Sequence, residues 1–184
     1  MAINHTAKNV FKKKCYNKLV KKEIQTFFKG EVEDSAETLE KYSHDASLLE
    51  VRPRVVVFPK DKEDIKNLIK WINANNTRAD LVGLSITPRC AGTDMSGGAI
   101  GESIIMDFTR YMNKLVGGPL PLTTLYDFCG LSKSAGGKVD EKSTNYPLVP
   151  SSITVEPGMF YRDFEKITLK KGLILPCYTA SKSL

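Results

Sequence analysis

Hydrophobic positions in this chain fall into short blocks separated by polar punctuation, and the spacing inside each block predicts its element. Residues 51–58, Val-Arg-Pro-Arg-Val-Val-Val-Phe, hold a β-branched run that predicts a strand. Pro53 places the start of that strand near a sheet edge, and Pro59 ends it. Ile65, Leu68, Ile69 and Ile72 follow at i, i+3, i+4 and i+7, the repeat of a helix with one apolar stripe. Asp61 stands where it would cap this helix, Asp64 lies in its first turn, and Asn75-Asn76 stop it. Apolar runs at 81–86 and 103–108 predict two further buried strands. Residues 153–156 predict a short strand closed by Pro157-Gly158. A helix over 161–171 follows, with Phe160, Phe164 and Ile167 on one face and Gly172 at its C-terminal cap.

The stretches between these blocks have their own character. Residues 1–50 read as a helical, basic lead-in, of which the first thirty, with Lys12-Lys13-Lys14 and Lys21-Lys22, read as solvated and partly helical. Residues 117–151 contain Gly117-Gly118, Pro119, Pro121, Gly136-Gly137, Pro147 and Pro150 with no sustained period, and read as a long loop or insertion. The alternation of strands and helices predicts one α+β or α/β domain over 51–184.

Composition narrows the classes. At 184 residues and 41% hydrophobic content the chain is long enough for one core. No apolar run has the length of a membrane span, and the first ten residues lack the apolar core of a secretory signal. Cys15, Cys90, Cys129 and Cys177 are scattered, without a CxxC pair, which disfavours both a zinc site and a disulfide framework and points to a reducing, cytoplasmic setting. His5 and His44 lie far from any Cys and from each other, so no metal site is assigned. The net charge of +6 raises a nucleic-acid interaction domain as one reading. The lysines, however, are spread among 21 acidic residues and are not interleaved with aromatics, so no nucleic acid is expected. A positive balance also suits an anionic cofactor or an acidic substrate.

The chemistry concentrates in Pro88-Arg89-Cys90-Ala91-Gly92-Thr93-Asp94-Met95-Ser96-Gly97-Gly98, a tight loop between two strands. Small residues and the Gly pair let the backbone approach a ligand and present its N–H groups, Arg89 adds positive charge, and Thr93 and Ser96 add hydroxyls. A pyrophosphate fits that inventory; a Gly-rich hairpin with no ligand fits the loop equally well. No GxGxxG follows the first strand and no GxxxxGK[ST] occurs, which disfavours a Rossmann dinucleotide site and a P-loop.

Several segments in order and spacing resemble one family. They are Tyr42-Ser43-His44-Asp45-Ala46-Ser47, the strand from Arg52-Pro53 to Phe58-Pro59, the glycine loop, Met106-Asp107-Phe108-Thr109-Arg110, and Val155-Glu156-Pro157-Gly158 with Leu175-Pro176-Cys177-Tyr178-Thr179-Ala180-Ser181. Together they resemble the FAD-linked oxidases of the vanillyl-alcohol oxidase and p-cresol methylhydroxylase type, most nearly the glycolate oxidase flavin subunit and D-lactate dehydrogenase group.

The resemblance implies the N-terminal lobe of that FAD-binding domain, an α+β fold with a small mixed sheet and flanking helices. It implies that the backbone and side chains of Arg89, Cys90, Ala91, Gly92, Thr93, Asp94, Met95, Ser96 and Gly97 hold the FAD pyrophosphate. Gly158 and the Tyr178, Thr179, Ala180, Ser181 turn would approach the same cofactor. Some members attach the flavin through a His in this loop; Thr93 stands at that position, which implies dissociable FAD. Cys90 and Ala91 stand where Gly is common, and Asp94 puts a negative charge beside a pyrophosphate. In the family another glycine-rich segment, the second FAD lobe and a substrate-binding cap follow, so this chain is expected to be the N-terminal part and no catalytic residue is assigned. The implied activity is oxidation of a 2-hydroxy acid such as D-lactate or glycolate. The alternative is a nucleotide-binding lobe without chemistry of its own.

Overall fold

The computed structural model describes residues 17–78, 81, 83–120 and 152–175. They fall into two compact units, one from residues 1–113 with 157–184 and one from residues 114–156.

The larger unit is built on a four-stranded sheet. Its strands are β1 (Glu31–Glu33), β2 (Val55–Phe58), β3 (Ile86–Arg89) and β4 (Ile104–Asp107), in spatial order β1-β2-β4-β3. β1 pairs antiparallel with β2, while β2, β4 and β3 run parallel. Every residue of β2 and β4 is buried, because helices cover both faces. The strand period divides their side chains between two cores. Val55, Val57, Ile104 and Met106 meet Val20 and Ile24 of a helix at 17–24 (α1) and Leu68 and Ile72 of α3 (Lys62–Asn75). Val56, Phe58 and Ile105 meet Leu39 of α2 (Ala36–Lys41) and Tyr42.

The predicted helix after Pro59 is α3. Asp61 caps it, accepting from the amides of Glu63 at 2.9 Å and Asp64 at 3.0 Å. Leu68 and Ile72 are buried and Ile65 is partly so, but Ile69 points outward. Trp71, off the stripe, packs on Phe27 and donates its indole N–H to Glu23. The helix over 161–171 is α4 (Tyr161–Leu169). Gly172, at φ +68°, closes it while the Leu173 amide reaches back to the Thr168 carbonyl.

Four expectations are corrected. The lead-in is not solvated throughout: residues 17–42 contain α1, β1 and α2 and supply Val20, Ile24, Phe28, Val32, Leu39 and Tyr42 to the cores. β2 is an interior strand, and Pro53 precedes it without marking an edge. The strand expected at 81–86 lies instead at Ile86–Arg89 and is half-exposed, with Gly83 in a left-handed turn before it. β3 is an edge strand, which is why Pro88 is tolerated within it. Finally, β3 and β4 are parallel neighbours, so the glycine loop is not a hairpin but a crossover without a helix.

In the smaller unit β5 (Leu115–Leu120) pairs antiparallel with β6 (Ser152–Val155), with irregular register. The start of the stretch read as a long loop is therefore strand, despite Gly117. The rest of that stretch, 121–151, lies outside the described residues.

Candidate functional site

The parallel strands β3 and β4 end at Arg89 and Asp107, and a cleft of about 460 Å³ opens beyond these carboxyl ends, the usual place for ligands in open α/β sheets. Its wall is formed by Arg89, Cys90, Ala91, Gly92 and Thr93 from the glycine loop. Lys41, Tyr42, His44, Asp45 and Ala46 come from the segment after α2, and Asp107, Thr109 and Phe160 complete it.

A buried hydrogen-bond network sets the floor. Asp107, 4% exposed at the end of β4, accepts from the Tyr42 hydroxyl at 2.5 Å and from the Thr109 amide and hydroxyl at 2.6 Å each. Burial, then the bond to Asp107, push the Tyr42 phenol far above its ordinary value, so Tyr42 stays a neutral donor. The Arg89 guanidinium lies 5.0 Å from the centroid of the Tyr42 ring. It donates to the carbonyls of His44 at 2.7 Å and Ala99 at 3.3 Å. Arg89 therefore ties both ends of the site together through backbone oxygens. Gly92 is required by that arrangement: its φ is +70°, and a Cβ there would collide with the Arg89 guanidinium.

The loop itself has two halves. Among the described residues, the backbone N–H groups of Cys90, Ala91, Gly92 and Thr93 meet no acceptor, and all four residues line the cleft. The next turn is closed on itself. Asp94 accepts from the Ser96 amide and hydroxyl at 2.7 Å each and from the Gly98 amide at 3.1 Å. The Ser96 hydroxyl and amide hold the Asp94 carboxyl below the usual carboxylate range. Asp94, Met95, Ser96 and Gly97 do not line the cleft; Met95 is 82% exposed and Gly97, at φ +85°, forms the turn.

Cys90 lines the cleft as a free thiol. It donates to the Pro157 carbonyl at 2.8 Å, and burial followed by the charge of Asp107 push its pKa up, which disfavours a reactive thiolate. Gly158 is buried beside it with its amide on the Met112 carbonyl at 2.8 Å. A Cβ there would strike the Phe108 carbonyl, so its need for glycine is explained by packing. Tyr178, Thr179, Ala180 and Ser181 lie outside the described residues.

The structure thus brings Arg89, Cys90, Ala91, Gly92 and Thr93 together with side chains the loop sequence did not name. Tyr42 and Asp107 are 65 positions apart, and only their presence in the segments carrying the family resemblance marked them. Glu40, His44 and Glu50 also cluster, but all three are exposed and Glu40 is paired with Arg52 at 2.9 Å.

A flavin dinucleotide requires a groove that accepts two linked phosphates. The unpaired amides of 90–93, with Lys41 and Arg89 in the same wall, meet that requirement. Residues 53–117 match the FAD binding domain family. The D-2-hydroxyglutarate dehydrogenase of Escherichia coli is 35% identical over 74 residues, 40% of this chain and 7% of that protein. The mitochondrial D-lactate dehydrogenase [cytochrome] 1 of Saccharomyces cerevisiae is 30% identical over 71 residues, 36% of this chain and 11% of that protein. Among solved structures, wild-type Physcomitrella patens BBE-like 1 aligns at TM-score 0.42 and 17% identity over 61% of this chain and 26% of its own. An alkyldihydroxyacetonephosphate synthase aligns at TM-score 0.42 and 20% identity over 52% and 19%. The chain spans about a tenth or less of the curated relatives it matches. The stretch that matches the FAD binding domain, residues 53–117, is the one that builds β2, α3, β3, the glycine loop and β4.

Proposed function

We propose that this chain binds FAD without a covalent link, as the pyrophosphate-holding part of a flavin-dependent oxidoreductase acting on a 2-hydroxy acid. One observation carries the reading: four consecutive residues, Cys90 to Thr93, line a cleft inside the segment that matches the FAD binding domain, and their backbone donors have no partner among the described residues. Bound flavin would supply the hydride-accepting chemistry. The chain's own residues hold and orient. The 90–93 amides receive the phosphate oxygens, Lys41 and Arg89 contribute positive potential, and Thr93 offers a hydroxyl. Tyr42, Asp107 and Thr109 keep the floor rigid.

The substrate class follows from the names of the relatives, which act on D-2-hydroxyglutarate and D-lactate; D-lactate and glycolate are the donors to try first. No helix among the described residues is long and apolar enough to cross a membrane, and the free thiol of Cys90 suits a cytoplasmic setting. The test is titration of the 184-residue chain into FAD, read by flavin fluorescence, followed by acid precipitation. Saturable quenching with yellow colour in the supernatant is expected. No quenching removes the FAD reading, and colour retained in the pellet removes the non-covalent one.

A further inference from the structure

Asp94 occupies the place of a ligand. A carboxylate and a phosphate have the same need, convergent N–H and O–H donors, and a short run of backbone amides around a left-handed glycine supplies them. Here the Ser96 amide, the Ser96 hydroxyl and the Gly98 amide converge on one carboxylate, and that carboxylate belongs to the loop. Gly97 provides the left-handed residue between those two amides. The turn is open to solvent, so its donors are accessible to an outside anion as soon as Asp94 leaves them. Beside it the Cys90–Thr93 amides have no acceptor among the described residues. One loop therefore carries two adjacent donor sets, one empty and one filled by its own side chain.

We propose that Asp94 is an internal anion that competes with the cofactor pyrophosphate for the glycine loop and thereby weakens the chain's affinity for FAD. The proposal rests on the FAD reading above. The competition has two parts. Donors held by Asp94 are withheld from the second phosphate, and its negative charge repels any phosphate seated on the neighbouring amides. Both parts vanish when the carboxylate is made neutral. Asp94→Asn is the diagnostic change, because an amide oxygen still accepts from Ser96 and keeps the turn while the charge is removed. Asp94→Ala removes both the charge and the acceptor.

The experiment is FAD titration of the wild-type chain, Asp94→Asn and Asp94→Ala at low and at moderate ionic strength. Amide proton shifts of Ser96 and Gly98 are followed by NMR in each. Asp94→Asn is expected to bind FAD about three- to tenfold more tightly at low salt, the size of one unit-charge repulsion across a partly solvated gap, and the gain should shrink as salt screens it. In the wild type, FAD should shift the Ser96 and Gly98 amides as they exchange a carboxylate for phosphate oxygens. An affinity unchanged in Asp94→Asn and weakened in Asp94→Ala would show a turn cap only and overturn the proposal while leaving FAD binding intact. Absence of FAD binding in all three proteins, each shown folded by circular dichroism, would overturn the FAD reading and this proposal together.

Discussion

Two carboxylates in this molecule do the same local chemistry with opposite consequences. Asp64, in the first turn of α3, accepts from the amides of Lys29 at 2.8 Å, Gly30 at 3.1 Å and Lys60 at 3.0 Å. Asp94 accepts from two donors of Ser96 and one of Gly98. The first carboxylate is fully buried and joins segments 34 and 35 positions apart, while the second bonds no farther than four residues along the chain. Burial of the carboxylate limits water as a replacement partner, so the segments that Asp64 joins depend on it. Around Asp94 water or an external anion is an available substitute. The same grip is a rivet of the scaffold in one place and a local, solvent-facing turn of the glycine loop in the other.

The largest test of that contrast is Asp64→Ala, which should lower unfolding stability by about 3 kcal/mol in urea melts, because a buried carboxylate that holds three part-buried amides is lost at once. Asp94→Ala should leave the urea midpoint nearly unchanged; an equal loss in both would erase the distinction. Tyr42→Phe removes one of the hydrogen bonds to the buried Asp107 carboxylate and should cost about 2 kcal/mol in the same assay. Gly92→Ala forces a left-handed residue into a strained conformation and displaces Arg89; FAD titration should show about tenfold weaker binding.

The pH dependence sharpens the comparison at a smaller scale. Asp61, held low by the α3 amide it caps and then by Lys29, and Asp94, held low by Ser96, both have folded-state pKa values below their unfolded ones. Their contribution is complete above the unfolded carboxylate pKa and fades as pH falls through the folded one. Urea midpoints should therefore be flat from about pH 7 to pH 5 and decline below about pH 4, less steeply in Asp61→Ala. The smallest effect concerns Cys90. With the other cysteines replaced by serine, its alkylation by iodoacetamide at pH 8 should be slower than in the urea-unfolded chain, because its folded pKa is raised; equal rates would contradict a thiol held by the Pro157 carbonyl.

Much of the scaffold was legible locally. The Asp61 cap, the Val55–Phe58 run and Gly172 each depend on neighbours within one or two turns and lie as the spacing implies, while of the stripe Ile65, Leu68, Ile69 and Ile72 all but Ile69 face the core. The strand at Ile86–Arg89 was misplaced because apolar content marks burial, whereas an edge strand is only half-buried and takes polar residues and Pro88. β1 was missed because Glu31 and Glu33 flank a single buried Val32. Those two glutamates are satisfied by Arg110 and Tyr111 from the turn that follows β4, a pairing invisible in the chain order.

By itself the sequence marked the loop as an anion-binding candidate beside a ligand-free reading: small residues, three glycines and an Arg after an apolar run make a backbone that an anion can approach, since that property belongs to the residues themselves. It also marked Asp94 as a charge out of keeping with a phosphate. Only the tertiary structure decided which donors are open. Parallel pairing of β3 with β4 turns the loop into a crossover at the carboxyl ends of the strands, and the Arg89 contacts to His44 and Ala99 hold it there. The lack of an acceptor for the 90–93 amides among the described residues and the capture of Asp94 by Ser96 and Gly98 are facts of backbone geometry, which composition does not specify.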